Sequence, residues 1–261
     1  TVNAVNDPPI NTVPGPQSVN EDSNLTFSLA GSNRVSVNDV EATVLQVTLT
    51  VSNGVLSLSG TSGLTFASGD GTTDATMTFT GSKADVNSAL SGLVYRPQTN
   101  FDGSDALLIT TSDLGSEGAG GILTDTDTVA ITVNAVNDAP VNTVPAAQAV
   151  NEDTDLTING ISVADPDASS LKVTLSVTNG VLSLNGVTGL SFSNGDGVSD
   201  ATMTFSGTTN NINAALNSIV YRGNLNFNGS DTLTLLTSDE GATGIGGTLT
   251  EIGRASCRER V

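Results

Sequence analysis

Along most of the chain, apolar residues alternate with Thr, Ser and other polar residues in runs bounded by Gly, Asn and Asp, the period-two signature of half-buried strands. Leu45, Val47, Leu49 and Val51 fall on one face of such a run, with Thr48 and Thr50 on the other. The same alternation predicts strands over 75–80, 106–111 and 126–133, and again over 171–177, 201–205 and 232–236. Asn53-Gly54 and Asn179-Gly180 lie between runs and read as hairpin turns, because both residue types tolerate positive φ. One segment breaks the period. Ser82-Lys83-Ala84-Asp85 has the form of a capping box, and Val86, Ala89, Leu90 and Leu93 follow at helical spacing; 208–219 repeats this with weaker capping. Many short strands, abundant turn residues and an aromatic content of 3% predict an all-β fold of Greek-key sandwiches, each with one short helix and a core of Val, Leu and Ile. Phe66, Phe79, Tyr95 and Phe101, with Phe192, Phe205, Tyr221 and Phe227, are the expected large fillers.

The pattern is written twice. TVNAVNDPPINTVP at 1–14 recurs as TVNAVNDAPVNTVP at 132–145, displaced by 131, whereas VSNGVLSL and GDGTTDATMTF recur displaced by 126. Five residues are therefore lost from the second copy near Ala30 to Arg34, where a loop must lie. A unit of that length fits one domain. The expected organisation is the end of a preceding repeat and its linker at 1–7, a first repeat at 8–137, a second at 138–250 and a foreign tail at 251–261. Register between the copies is lost after Thr250, and EIGRASCRERV then supplies the only Cys (Cys257) and three of the eight basic residues. That string resembles a translated sequencing-library adapter, so Ile252 to Val261 is set aside as a fusion scar would be, with Glu251 spanning the join. The second repeat is accordingly expected to lack its last strand and to be the less stable of the two.

Charge narrows the function. A formal net charge of −19 repels nucleic acid and anionic lipid, which leaves cations as the natural partners. There is no His, so the usual general base is missing, and imidazole and thiolate metal sites fall with it. No apolar run approaches the ~18 residues of a membrane span, so this segment is not expected to insert in a bilayer. One cysteine cannot form an internal disulfide.

The acidic residues are grouped in loops at strand ends: Asn6-Asp7 and Asn137-Asp138, Glu21-Asp22 and Glu152-Asp153, Asp39-Val40-Glu41 and Asp165-Pro166-Asp167, then Asp113 and Asp239. Calcium takes six to eight oxygens, which loop carboxylates, Asn amides and main-chain carbonyls supply. Asp and Asn also favour solvated turns and caps for local reasons, and that reading stays open beside the first. Gly69-Asp70-Gly71 with Asp74, and Gly195-Asp196-Gly197 with Asp200, hold only a fragment of a calcium-loop spacing and read as tight turns.

The run from Thr110 to Pro140 resembles the end of a cadherin repeat, where an x-D-x-G loop precedes the last strand and a D-x-N-D-N-x-P linker follows. Val136 to Pro140 matches that linker's core without its first Asp and second Asn; Asp165-Pro166-Asp167 is similar to the cadherin D-x-D pair, and Asn20-Glu21-Asp22 to the Glu ending the first strand. Over about 1–250 the chain looks like the cadherin-like tandem repeats of giant bacterial surface adhesins of the RTX type, many exported by type I secretion. The resemblance implies cadherin-like or immunoglobulin-like sandwiches, and calcium at the joint between the copies held by Glu21, Asn137, Asp138, Asp165, Asp167 and Asp239. It also implies a partial site at the N-terminal joint, from Asn6, Asp7, Asp39, Glu41 and Asp113. The eukaryotic D-R-E motif has no clear match.

The expected function is a structural and adhesive module of an extracellular, cell-surface protein. Its partners would be neighbouring repeats of the same chain and surface glycans or proteins of host or sibling cells. The alternative is a carbohydrate-binding sandwich, disfavoured by nine aromatics with no Trp. A carboxylate pair could in principle hydrolyse glycosides, but a duplicated unit with no His and no nucleophile motif gives no reason to expect an enzyme. The sequons at Asn24 and Asn228 matter only in a eukaryotic secretory pathway.

Overall fold

The computed structural model describes residues 3, 5–115, 118–241 and 243–260. Residues 1, 2 and 4 of the expected linker at 1–7, and Val261 of the tail, lie outside the described residues. The chain divides into two units, Thr1–Ala135 and Val136–Val261.

In the first unit, β1 (Ile10–Thr12), β2 (Gln17–Asn20), β3 (Leu25–Phe27), β4 (Ser36–Asn38), β5 (Val44–Thr50) and β6 (Gly54–Ser57) precede β7 (Leu64–Ser68) and β8 (Thr76–Ser82). The short helix α1 (Lys83–Leu90), then β9 (Leu93–Pro97), β10 (Gly103–Ser112) and β11 (Thr124–Asn134) complete it. One sheet has the order β2-β11-β10-β5-β8-β7, a second β3-β9-β6, and β1 pairs with β4. The strand β2 runs parallel to β11, and the other pairings are antiparallel. Both sheets feed one core: Leu45, Val47, Leu49, Phe79, Leu107 and Ile109 from the larger meet Phe27, Leu56, Leu93 and Tyr95 from the smaller. This is the expected all-β sandwich. The Ser82 hydroxyl accepts the Asp85 N–H and caps α1, which buries Val86, Ala89 and Leu90.

The second unit repeats the order. It runs through β12 (Val141–Thr143), β13 (Gln148–Asn151), β14 (Asp155–Ile158), β15 (Ser162–Ala164), β16 (Ser170–Ser176), β17 (Gly180–Ser183), β18 (Ser191–Asn194) and β19 (Thr202–Thr208). Then follow α2 (Thr209–Leu216), β20 (Ile219–Gly223), β21 (Ser230–Ser238) and β22 (Thr250–Arg260), with sheets β13-β22-β21-β16-β19-β18 and β14-β20-β17. Among the described residues no helix is long and apolar enough to cross a membrane.

Two expectations are corrected. The second repeat does not lack its last strand: β22 pairs with β21 from Thr250 to Arg258 and lies parallel to β13. Period-two alternation explains why, since Gly253, Ala255, Cys257 and Glu259 face inward and Ile252, Arg254, Ser256 and Arg258 outward. Nor are Asn53-Gly54 and Asn179-Gly180 hairpin turns. The strand β5 pairs with β8 and β10, whereas β6 pairs with β9 in the other sheet, so the dipeptide is a crossover between sheets. Gly54 answers a close approach instead of a positive φ: a Cβ there would lie 2.5 Å from the Tyr95 ring and 2.6 Å from the Arg96 carbonyl oxygen.

Candidate functional site

The end-loop acids converge within each unit. In the first, Asn6 Nδ2 donates to Asp113 Oδ2 and to the Gly121 carbonyl, while Asp113 Oδ1 accepts the Gly115 and Leu123 amides at 2.8 and 2.9 Å. Asp39 Oδ1 accepts the Glu41 and Ala42 amides at 2.9 and 2.6 Å, an Asx turn that aims the loop, and Glu41 Oε2 accepts the Asp7 amide at 3.4 Å. Lys83 Nζ donates to the Asp39 carbonyl at 2.6 Å. Asn6, Asp7, Asp39, Glu41 and Asp113 are thus linked at one end of the unit.

The second unit reproduces the arrangement. Asn137 Nδ2 donates to Asp239 Oδ2 and the Gly247 carbonyl, Asp239 Oδ1 accepts the Gly241 and Leu249 amides, Asp165 Oδ1 accepts the Asp167 and Ala168 amides, and Asp167 Oδ2 accepts the Asp138 amide at 2.7 Å. Five residues of the expected joint site therefore lie together. The sixth, Glu21, belongs to the first unit, where it is buried after β2 and its N–H donates to the Asn134 carbonyl.

Roles divide inside each cluster. Burial raises the proton affinity of Asp113, but the Leu123 and Gly115 amides and the Asn6 side chain outweigh it and hold the carboxyl below its ordinary range; Asp239 is held down likewise by burial opposed by Gly241, Leu249 and Asn137. These two carboxylates fasten a loop to the linker. By contrast, Asn6 Oδ1 and Asp39 Oδ2 in the first unit, and Asn137 Oδ1 and Asp165 Oδ2 in the second, are buried oxygens without a hydrogen-bond partner. A buried acceptor left so costs about 1–3 kcal/mol, and the same atoms are left so in both units. Among the described residues, no three carboxylate, thiol or imidazole side chains come together as an ion-holding group. An ion there would draw on amide and main-chain oxygens as well, the donors calcium accepts readily.

The glycine-rich loops are the tight turns expected of them. Asp74 Oδ2 accepts the Asp70 and Gly71 amides, and the Thr72 hydroxyl and amide hold Asp70 below the usual carboxylate range; Asp200 and Asp196 make the same turn. Sequence reasoning missed Asp105 and Asp231, buried carboxylates bonded to Tyr95 and Tyr221. Their signal was the Tyr to Asp spacing of ten residues, identical in both copies.

A family model described as Protein GAMETE EXPRESSED 2 domain matches residues 152–244, just over a third of the chain. No curated protein matches the sequence. Among solved structures, the protocadherin gammaB4 extracellular domain is 15% identical, with 98% of this chain and 34% of that one covered at a TM-score of 0.37. Human mucin-like protocadherin EC1-2 is 16% identical, covered 96% and 98% at 0.36, and human protocadherin-24 EC1-2 is 13% identical, covered 98% and 100% at 0.37. The chain spans about a third to a half of the length of the first protocadherin structures it resembles.

Proposed function

We propose that the chain is a pair of structural and adhesive repeats from a longer extracellular surface protein, stiffened by calcium bound at the ends of its units. The observation that carries this is the matched pair of partnerless buried oxygens, Asn6 and Asp39 in one unit and Asn137 and Asp165 in the other. A divalent ion there would cancel the repulsion between acidic loops and, by binding the folded state alone, add RT ln(1 + [L]/Kd) to its stability. Asn137, Asp138, Asp165 and Asp167 are the proposed ligands in the second unit, with Asp239 holding Asn137 in place; Glu21 is the proposed contribution of the preceding unit. Asn6, Asp7, Asp39 and Glu41 are the equivalents in the first. The parent is read as a bacterial RTX-type adhesin that leaves the cell by type I secretion, with neighbouring repeats and surface glycans or proteins as partners. Calorimetry with calcium on the full chain tests the site: saturable heat that Asp165→Ala with Asp167→Ala reduces supports it, and no heat at millimolar calcium overturns it.

A second reading, favoured by the match over 152–244, places the repeats in a gamete-expressed protein. The parent reading frame separates the two by its export signal. The carbohydrate-platform alternative loses ground, because Phe27, Phe79, Tyr95, Phe205 and Tyr221 are fully buried and the other four aromatics half-buried.

A further inference from the structure

The smaller sheets of the two units differ in what stands opposite one arginine. In the second unit Arg222, on β20, lies opposite Asp155 on the neighbouring β14 and pairs with it at 3.4 Å. Asn24 takes the place of Asp155 in the first unit, immediately before Leu25, which pairs with Tyr95 on β9 as Leu156 pairs with Tyr221 on β20. Arg96, the counterpart of Arg222, is exposed and makes no ion pair or side-chain hydrogen bond to the described residues. Arg34, Arg254 and Arg258 are likewise without an ion pair among the described residues, so what sets Arg96 apart is the contrast with Arg222 and the grooves beside it.

Arg96 also stands between two grooves. One, of about 280 Å³, is lined by Asn24, Ser57 and Thr73 with Val55 and Val94; the other, of about 240 Å³, by Gln98 and Thr99 with Gly54 and Pro97. Both carry hydroxyl and amide groups over a short apolar floor, and no carboxylate lines either. A planar guanidinium recognises a carboxylate in bidentate fashion, and neutral hydrogen-bonding side chains beside it suit a ring of hydroxyls. Each groove is of monosaccharide size, at or just below the ~300 Å³ lower end of small-molecule sites.

We infer that the outer face of the β3-β9-β6 sheet in the first unit binds a carboxylated sugar through Arg96. The sugar's carboxylate docks on the guanidinium, its hydroxyls bond to Asn24, Thr73 or Gln98, and the site is confined to the first unit because Asp155 occupies the equivalent arginine in the second. This is independent of calcium, uses a guanidinium where a carbohydrate platform would need exposed aromatic rings, and rests on the adhesive reading with glycan partners, which it deepens by naming a ligand class.

The test is an NMR titration of the full chain with sodium glucuronate, with glucose and an acidic tetrapeptide as comparisons. The expected result is saturable glucuronate shifts around Arg96, abolished by Arg96→Ala and weakened at least tenfold by Asn24→Asp, which gives the first unit the carboxylate that Asp155 supplies in the second. Asn185→Asp adds the same charge at an exposed site of the second unit and should leave the affinity within twofold. The inference is overturned by absence of saturable shifts, by glucose binding equally, by the tetrapeptide binding in place of glucuronate, or by Asn24→Asp having no larger effect than Asn185→Asp while the spectra show every variant folded.

Discussion

The Tyr95 hydroxyl donates to Asp105 Oδ2 at 2.8 Å in the interior of the first unit, and Tyr221 meets Asp231 at 3.2 Å in the second. Asp105 also accepts the Ser52, Asn53 and Ala106 amides, so one buried carboxylate joins the start of β10 to the crossover between sheets and to β9. Burial, then the Asp105 bond and charge, push the Tyr95 phenol above its ordinary range, so it stays a donor at all physiological pH.

Removing either partner has unequal consequences. Tyr95→Phe deletes one hydrogen bond and leaves Asp105 with its amides, at a cost of about 1–2 kcal/mol; Asp105→Ala strands the phenol and the amides together and should cost about 3 kcal/mol or more. Gly54→Ala should rank with the second, since the new methyl meets both the Tyr95 ring and the Arg96 backbone. Urea unfolding of the first unit's transition measures all three, and equal costs for the Tyr and Asp variants would contradict the network.

The last strand of the second unit is where packing is poorest. The inward series Val129, Ile131 and Val133 of β11 becomes Ala255, Cys257 and Glu259 in β22, two smaller residues and a buried carboxylate with no cation and no side-chain donor beside it among the described residues. The second unit should therefore unfold first, and Glu259→Val should stabilise it by about 1–3 kcal/mol. Two resolved transitions in calorimetry, with only the lower one raised by the substitution, are expected; coincident transitions for wild type would refute it.

The same residue sets a pH dependence of unusual sign. Burial, with Asp153, Asp231 and Glu152 nearby, outweighs the Gly223 amide and raises the Glu259 carboxyl above its ordinary 4.5. The folded state then holds a proton that the unfolded chain has released, so stability falls as pH rises from 4.5 through the folded value and is lowest above it. Mild acidification from neutral should stabilise the second unit but not the first, and Glu259→Gln should abolish the difference. Below about 3.8 both units lose stability, because Asp113 and Asp239, held below that value when folded, become protonated. Thermal midpoints read between pH 3 and 7 give both limbs.

Period-two alternation placed β5, β10 and the core face of each sheet, since Leu45, Val47 and Leu49 can bury together only as a strand. Internal duplication placed the acidic loops, because residues repeated at two registers had to land at equivalent ends. What alternation cannot encode is which sheet a strand joins: Asn53-Gly54 carries a turn signal whether the chain folds back or crosses over, and Tyr95 and Asp105 decide it from more than forty residues away. The inward alternation in β22 was likewise present in the sequence, hidden by Gly, Ala and Cys, whose small side chains mark no hydrophobic face.

The acidic cluster offers a separation of scaffold from ligand. Asp113 has its oxygens committed to the Gly115, Leu123 and Asn6 donors, so Asp113→Asn confronts the Asn6 amide with another amide and should destabilise the first unit by about 1–3 kcal/mol, with or without calcium. Asp39→Asn keeps Oδ1 for the Glu41 and Ala42 amides and replaces only the partnerless Oδ2. It should leave the calcium-free midpoint within about 0.5 kcal/mol of wild type, the usual range for a substitution that breaks no packing, and abolish the rise that calcium produces in the first unit. Thermal unfolding of both variants in chelator and in millimolar calcium distinguishes them. If Asp39→Asn retained the full calcium response, the partnerless oxygen would not be a ligand, and the loop would be a turn and nothing more.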